Sequence, residues 1–469
     1  MTTASVAARV TMTEPSRGAA AGGGSRDAGT DHRSAAVTDA NAGQDIRQVT
    51  LPSGVRLVTE RMPTVRSVSV GFWVGSGARD EQPAVAGASH FLEHLLFKGT
   101  QRRSAVEIAS ALEAVGGDLN AFTSQEYTCF HARCLDRDLP LAIDVLADMI
   151  TSATVTTENV DAERAVVLEE IRMHLDTPDD LVHSVFSEAL YGSHPLGREV
   201  LGTSGTITSV PRDDVFGYYR ERYVPSNLVV AVAGNLDHDE VRRLVESALD
   251  GWDDPGALPQ RQLIGIEAPA RAVGLRPRPT EQAHICLGGM GFARNDDRRF
   301  AGRVLEQAMG GGMASRLFQE VRERRGLAYS VYSYLSMQAE VGYHAVYAGT
   351  AVERVDQVLE VVRSELGRAL RDGLSDEELA AAKGALTGSL ILGLEDTSSR
   401  MTRLGRSVVC DVPLLSLDEI MGAVDRVTHQ DVRQVTEALF GRQWSLAIVG
   451  PFEDTDTEKF VGYSERLAA

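Results

Sequence analysis

The sequence predicts an α+β fold: two homologous α/β-sandwich domains in tandem, each a mostly antiparallel sheet with helices packed on it. Three observations predict it. Strand-like and helix-like stretches alternate in blocks rather than in strict βαβ order, which disfavours a parallel sheet. Periodicity fails at Gly251-Trp252-Asp253-Asp254-Pro255-Gly256-Ala257-Leu258-Pro259, where turn formers dominate and mark a linker. The second half then repeats the first: the strand and glycine turn at 70–80 recur at 285–294, and Val232-Ala233-Gly234 recurs as Ile448-Val449-Gly450. The offsets are nearly constant, Gly291 lying 214 residues after Gly77 and Gly450 lying 216 after Gly234, as a duplicated unit requires.

The elements follow in order. Leu51-Pro52-Ser53-Gly54 reads as a turn, and 68–74, rich in β-branched and aromatic residues, as a buried strand. Helical periodicity covers 88–97, then 105–115 before Gly116-Gly117, then about 158–175 before Thr177-Pro178. With 469 residues, 43% of them hydrophobic, the chain exceeds what one core supports. The expected division is a disordered tail at 1–44, a first domain at 45–250, a linker at 251–265 and a second domain at 266–469. The tail carries Arg9, Arg17, Arg26 and Arg33 as a transit peptide would, but Glu14, Asp27, Asp31, Asp39 and Gly22-Gly23-Gly24 oppose an amphipathic presequence helix.

Charge narrows the partners. Lys and Arg number 47 against 66 Asp and Glu, a net charge of −19 that repels phosphate backbones and anionic membrane surfaces. No nucleic-acid partner is expected, and a charged partner would be basic, presequence-like peptides included, the alternative being that the acidity serves only solubility. Cysteines stand only at 129, 134, 286 and 410, too few for a disulfide framework and consistent with a reducing compartment. No apolar run is long enough to span a bilayer and no secretory h-region opens the chain. A cytoplasmic location is the expectation.

The chemistry concentrates in Ser89-His90-Phe91-Leu92-Glu93-His94-Leu95-Leu96-Phe97. On a helix, His90 and His94 at i and i+4 project from one face and can share a metal. Glu93 lies near that face, where it can reach an activated water without being a ligand. The same pattern also suits an amphipathic helix with two satisfied histidines. A catalytic zinc needs a third protein ligand on another element, and the helix Ala162-Glu163-Arg164-Ala165-Val166-Val167-Leu168-Glu169-Glu170-Ile171 offers candidates. Glu163 and Glu170, two turns apart, share a face. Glu169 points about a hundred degrees away. His174 shares the face of Glu170 and rivals it.

His-x-x-Glu-His followed after 76 residues by Glu170, within a Glu-Arg-x-Val-Val-x-x-Glu helix, resembles the pitrilysin and insulysin family of zinc metallopeptidases, the inverzincins. Leu119-Asn120-Ala121-Phe122-Thr123-Ser124-Gln125-Glu126, His194-Pro195-Leu196-Gly197 and Asn227-Leu228-Val229-Val230-Ala231-Val232-Ala233-Gly234 agree with it. In length and layout the chain is similar to the processing-peptidase β subunit and its bacterial homologues, which act as dimers. The resemblance implies one zinc per chain on His90, His94 and Glu170, Glu93 as base, and Glu163 orienting a ligand. It implies peptide substrates lying along Asn120, Ala121, Phe122 and Thr123, and a homodimer.

In the second half, Arg322 and Tyr329 of Val321-Arg322-Glu323-Arg324-Arg325-Gly326-Leu327-Ala328-Tyr329-Ser330 match the family's Arg/Tyr pair, which implies transition-state stabilisation by a cation and a phenol. Otherwise Arg322 would be a surface partner of Glu320 or Glu323, and Tyr329 a core aromatic. Gly310-Gly311-Gly312 lacks the Lys-Ser/Thr of a phosphate cradle and reads as a turn. The resulting expectation is a zinc endopeptidase acting on peptides or unfolded polypeptides, the alternative being an inactive scaffold or partner subunit.

Overall fold

A computed structural model describes residues 45–467 apart from Pro255, Ala257, Gln260, Gln262 and Glu267. The tail at 1–44 lies outside the described residues.

Two sheets are built from eleven strands. The first half supplies β1 (Asp45–Thr50), β2 (Arg56–Arg61), β3 (Ser67–Val74), β4 (Asp118–Thr123), β5 (Thr128–Leu135) and β6 (Leu228–Gly234), and the second β7 (Val273–Pro277), β8 (Gln282–Gly291), β9 (Ala328–Met337), β10 (Gly342–Ala351) and β11 (Trp444–Gly450). The first sheet runs β1-β2-β6-β3-β5-β4 and the second β7-β11-β8-β10-β9. In each sheet one pair is parallel, β2 with β6 and β7 with β11, and the other pairs are antiparallel. Apart from β1 the two sheets therefore share one order and one set of strand directions. Register confirms the repeat: Val70 faces Val232 as Ile285 faces Ile448. This sets Val70 against Ile285, an offset of 215, so the sequence match of Gly77 with Gly291 is one residue out of register.

The helices that matter to the site are α1 (Ala88–Leu96), α2 (Ala105–Glu113), α3 (Leu139–Ser152), α4 (Thr157–Leu175) and α5 (Pro178–Tyr191). Phe91, Leu92, Leu95 and Leu96 of α1 join β3, β5 and α3 side chains in the core of the first half, and burial of such side chains stabilises by about 1.5–3 kcal/mol each. A separate core fills the second half.

The halves also exchange helices. Leaving α4, the chain turns at Thr177-Pro178 and lays α5 on the second sheet, where Leu181, Val182, Val185 and Phe186 pack with Cys286, Ala345, Ala447 and Val449. In return the helix Thr397–Val409 of the second half covers the first sheet, Met401, Leu404 and Val408 meeting Val58, Trp73, Val229 and Ala231. There is no space for a side chain at Gly405, whose Cβ would stand 2.1 Å from Trp73 Nε1. A buried ionic cluster adds to the join, Arg79 and Glu126 of the first half pairing with Glu340 and Arg294 of the second. The end of α4 nearest Glu170 is thus held through α5 by the other half of the molecule.

Candidate active site

The N-terminus of α1 is set by a buried carboxylate. Gly87 precedes the helix at φ +96°, a conformation that favours glycine, and Glu81 accepts the Gly87 and Ser89 N–H groups, each at 2.7 Å. Two of the helix's free donors are satisfied in this way. Burial, opposed by these hydrogen bonds, pushes the Glu81 carboxyl up to about 7.

On the face of α1 opposite its core residues, the His90 and His94 rings lie 4.8 Å apart between centroids. Glu170 of α4 places Oε2 3.4 Å from His90 Nε2 and 3.3 Å from His94 Nε2. Tetrahedral zinc with N and O donors at about 2.0–2.1 Å requires donor–donor edges of about 3.3–3.4 Å. The two edges to Glu170 match such an ion, all three donors lie within 4.8 Å of one another, and no other group of three or more His, Cys, Asp or Glu among the described residues is close enough to hold a metal. Glu163 Oε2 lies 3.2 Å from His94 Nδ1, and Lys98 Nζ lies 2.7 Å from Glu163 Oε1.

The electrostatics suit a cation. Desolvation, with His94 nearby, lowers the His90 imidazole to about 4, so it is neutral near pH 7 and free to donate a lone pair. Burial also acts to lower His94, but hydrogen bonds and charge from Glu170, then Glu163, outweigh it and raise the group. Burial works to raise Glu170, and His94 and His90 outweigh it and lower the carboxyl. Burial raises Glu93, against a hydrogen bond of 2.6 Å from the Thr123 hydroxyl to Oε2.

The rival ligands face elsewhere. Glu169 pairs with Arg172, and His174 Nε2 meets Ser184 Oγ at 2.9 Å, beside Glu199 at 3.7 Å. Packing of α4 against α1 selects Glu170 between them.

Beside the cluster, β4 ends its sheet and pairs only with β5 among the described residues. On its outer side the Ala121 N–H is bonded to Asn120 Oδ1 at 2.8 Å. Phe122 contacts Trp73, Tyr127 and His131, whereas Ala121 is buried, which leaves only its backbone for a peptide. Sequence reasoning missed the link of Thr123 to Glu93 and missed both Glu81 and Lys98. For Lys98 a signal existed in its i+4 spacing from His94.

Arg322 lies on a π-helical turn, Phe318–Glu323, and Tyr329 on β9, the edge strand that corresponds to β4. The guanidinium sits over the Phe318 and Tyr329 rings at 4.8 and 4.9 Å, a stabilising arrangement. Tyr329 is 77% exposed and so is no core aromatic. Glu320 pairs with Arg324 and Arg325, leaving Arg322 a distant contact to Glu323 at 3.7 Å. Within one chain no hydrogen bond, ion pair or ring contact among the described residues joins Arg322 or Tyr329 to the His90, His94 and Glu170 cluster.

The family described as Insulinase (Peptidase family M16) matches residues 56–204, and that described as Peptidase M16 inactive domain matches 209–386. An uncharacterized zinc protease of Streptomyces coelicolor is 49% identical over 88% of this chain and 91% of its own length. The chain belongs to peptidase family M16. An uncharacterized zinc protease of Bacillus subtilis, 41% identical, extends the M16 match over 87% of this chain and 98% of its own. In fold, this M16 chain is similar to a peptidase M16 inactive domain from Pseudomonas fluorescens, with a TM-score of 0.80 at 20% identity, covering 87% of this chain and 98% of that one. A protease from Helicobacter pylori has a TM-score of 0.80 at 20% identity, covering 87% and 100%. No described helix is long and apolar enough to cross a membrane.

Proposed function

We propose that this chain is a zinc-dependent endopeptidase acting on peptides or unfolded polypeptides, with one zinc held by His90, His94 and Glu170. The observation that carries the reading is the triangle of donor atoms, with edges of 3.3 and 3.4 Å to Glu170 Oε2, within reach of a carboxylate that is not itself one of the donors. When bound, the metal supplies Lewis acidity toward water and the peptide carbonyl. Glu93 takes the water's proton on its carboxylate and passes it to the leaving amine. Thr123, at 2.6 Å, orients that carboxylate, and Glu163 accepts the His94 Nδ1 proton so that Nε2 keeps its lone pair for the cluster.

A peptide adds in extended form to the edge of β4 along Asn120–Thr123, displacing the Asn120 amide from the Ala121 N–H, main-chain bonds giving affinity with little sequence demand. The overall acidity favours basic, presequence-like substrates in the cytoplasm. Two domains, 45–250 and 266–469 joined by 251–265, set the two edge strands in equivalent places. Because Arg322 and Tyr329 stand apart from the cluster of their own chain, the reading assigns them to the site of a second copy in a homodimer with two composite sites.

Glu93→Gln tests the reading: it should retain stoichiometric zinc and lose peptide hydrolysis, since an amide of nearly the same volume accepts no proton. Near wild-type cleavage by this variant would refute the assigned base. Wild-type protein that binds no zinc and cleaves nothing would mark an inactive scaffold.

A further inference from the structure

We propose that Lys98 is a positioning residue that locks Glu163 against His94 and so sets how tightly the three-donor cluster holds its metal. The inference rests on the zinc reading above and adds a residue to it. Lys98 lies two residues past the last residue of α1, its N–H bonded to Leu95 O at 3.1 Å. Two residues of α4 meet it. Asn159 Nδ2 donates to the Lys98 carbonyl at 3.4 Å and Glu163 Oε1 receives its ammonium at 2.7 Å. Asn159 and Glu163 are four apart, so both belong to one face of α4. Backbone and side chain of Lys98 are therefore held by the same helix that carries Glu170.

A continuous chain of contacts results. Lys98 Nζ holds one oxygen of Glu163, the other oxygen faces His94 Nδ1 at 3.2 Å, and His94 Nε2 faces Glu170 at 3.3 Å. The terminal torsion of a glutamate is soft and roughly two-fold, so an imidazole contact alone leaves the carboxylate free to turn. A cation on Oε1 removes that freedom and compensates a carboxylate that is only 7% exposed, a burial that is costly for an unpaired charge. His90 has no equivalent support: its Nδ1 is buried without a hydrogen-bond partner among the described residues. Orientation of the donor set by hydrogen bonding consequently falls on the His94 arm.

Lys98 is a clean target because its side chain is about one-third exposed and its link to Asn159 is through the main chain. The test measures zinc affinity by chelator competition, and thermal stability of metal-stripped protein, for wild type, Lys98→Met, Lys98→Arg, Glu163→Gln and the Lys98→Met/Glu163→Gln double variant. Lys98→Met should loosen zinc by about ten- to hundredfold, the usual loss when a group behind a ligand is removed, and, because it leaves the Glu163 carboxylate unpaired, should lower the melting of the stripped protein, a loss that Glu163→Gln relieves in the double variant. Lys98→Arg should recover most of the affinity, and the double variant should be no weaker than Glu163→Gln alone, because both changes cut the same chain of contacts. Wild-type affinity in Lys98→Met, or losses that multiply in the double variant, would overturn the proposal. Failure of the wild-type protein itself to bind zinc would instead overturn the zinc reading.

Discussion

Replacing Thr123 by Val removes one hydrogen bond and little else, since Val is nearly isosteric and suits a strand. The lost contact is the 2.6 Å bond from the Thr123 hydroxyl to Glu93 Oε2. A hydrogen bond to a charged group contributes about 1.5–3 kcal/mol and favours the ionised form of its acceptor. Burial already raises the Glu93 carboxyl, and the Thr123 bond works against that rise. Glu93 must be ionised to act as a base, so removal of the bond moves the acid limb of the kcat/KM profile toward higher pH. A bound zinc ion acts on Glu93 in both proteins, so the difference between profiles isolates Thr123. The assay is hydrolysis of a fluorogenic peptide at a series of pH values by protein of equal zinc content. Thr123→Val should lose about ten- to hundredfold on the acid side and recover toward wild type on the alkaline side, while Thr123→Ser keeps the original limb. An unmoved limb, or a loss of equal size at every pH, would refute the idea that Thr123 tunes the base.

Three further outcomes follow from the same geometry. His90→Ala, His94→Ala and Glu170→Gln should each strip zinc, since each removes one of three protein donors; metal analysis showing full zinc in Glu170→Gln would exclude Glu170 as a ligand. Glu81, raised from 4.5 to about 7 chiefly by burial, holds its proton more tightly folded than unfolded, so the stability it lends is complete below the unfolded value and is lost as pH rises through about 7. The melting difference between wild type and Glu81→Gln should therefore fall between about pH 5 and pH 8, by about 3 kcal/mol at most, and a difference that stays constant or grows would show that the carboxyl is ionised throughout. Mixing Glu93→Gln with Tyr329→Phe under subunit exchange should restore up to about a quarter of wild-type activity, because random pairing leaves one intact composite site in each mixed dimer. Exchange seen by mass without any gain over the separate activities would place Arg322 and Tyr329 at the site of their own chain.

The local parts of this site were legible in the sequence because helical spacing is a local property. His90, Glu93 and His94 within five residues, and Glu163 and Glu170 two turns apart, had to share faces of α1 and α4 once those segments were helical. The duplicated sheet was legible for a similar reason, since strand and turn signals recur at nearly fixed offsets. Spacing left Glu170, Glu169 and His174 in competition, because a helix's own period does not say which face its neighbour covers. The contact of α4 with α1 decided it, turning Glu169 toward Arg172 and His174 toward Ser184.

Contacts between distant segments remained hidden. Thr123 meets Glu93 only because β4 runs beside α1, and Lys98 meets Glu163 only because α1 ends against α4. The exchange of α5 and the helix Thr397–Val409 between the two sheets could not be read from either segment, since an apolar helix face specifies burial but not the partner that buries it. What the sequence determined by itself was the chemistry of each face and the duplication of the sheet. Which faces meet, and therefore which donor completes the triangle and which side chains orient it, was decided by tertiary packing, because those contacts join residues far apart along the chain and depend on the shape of the whole core.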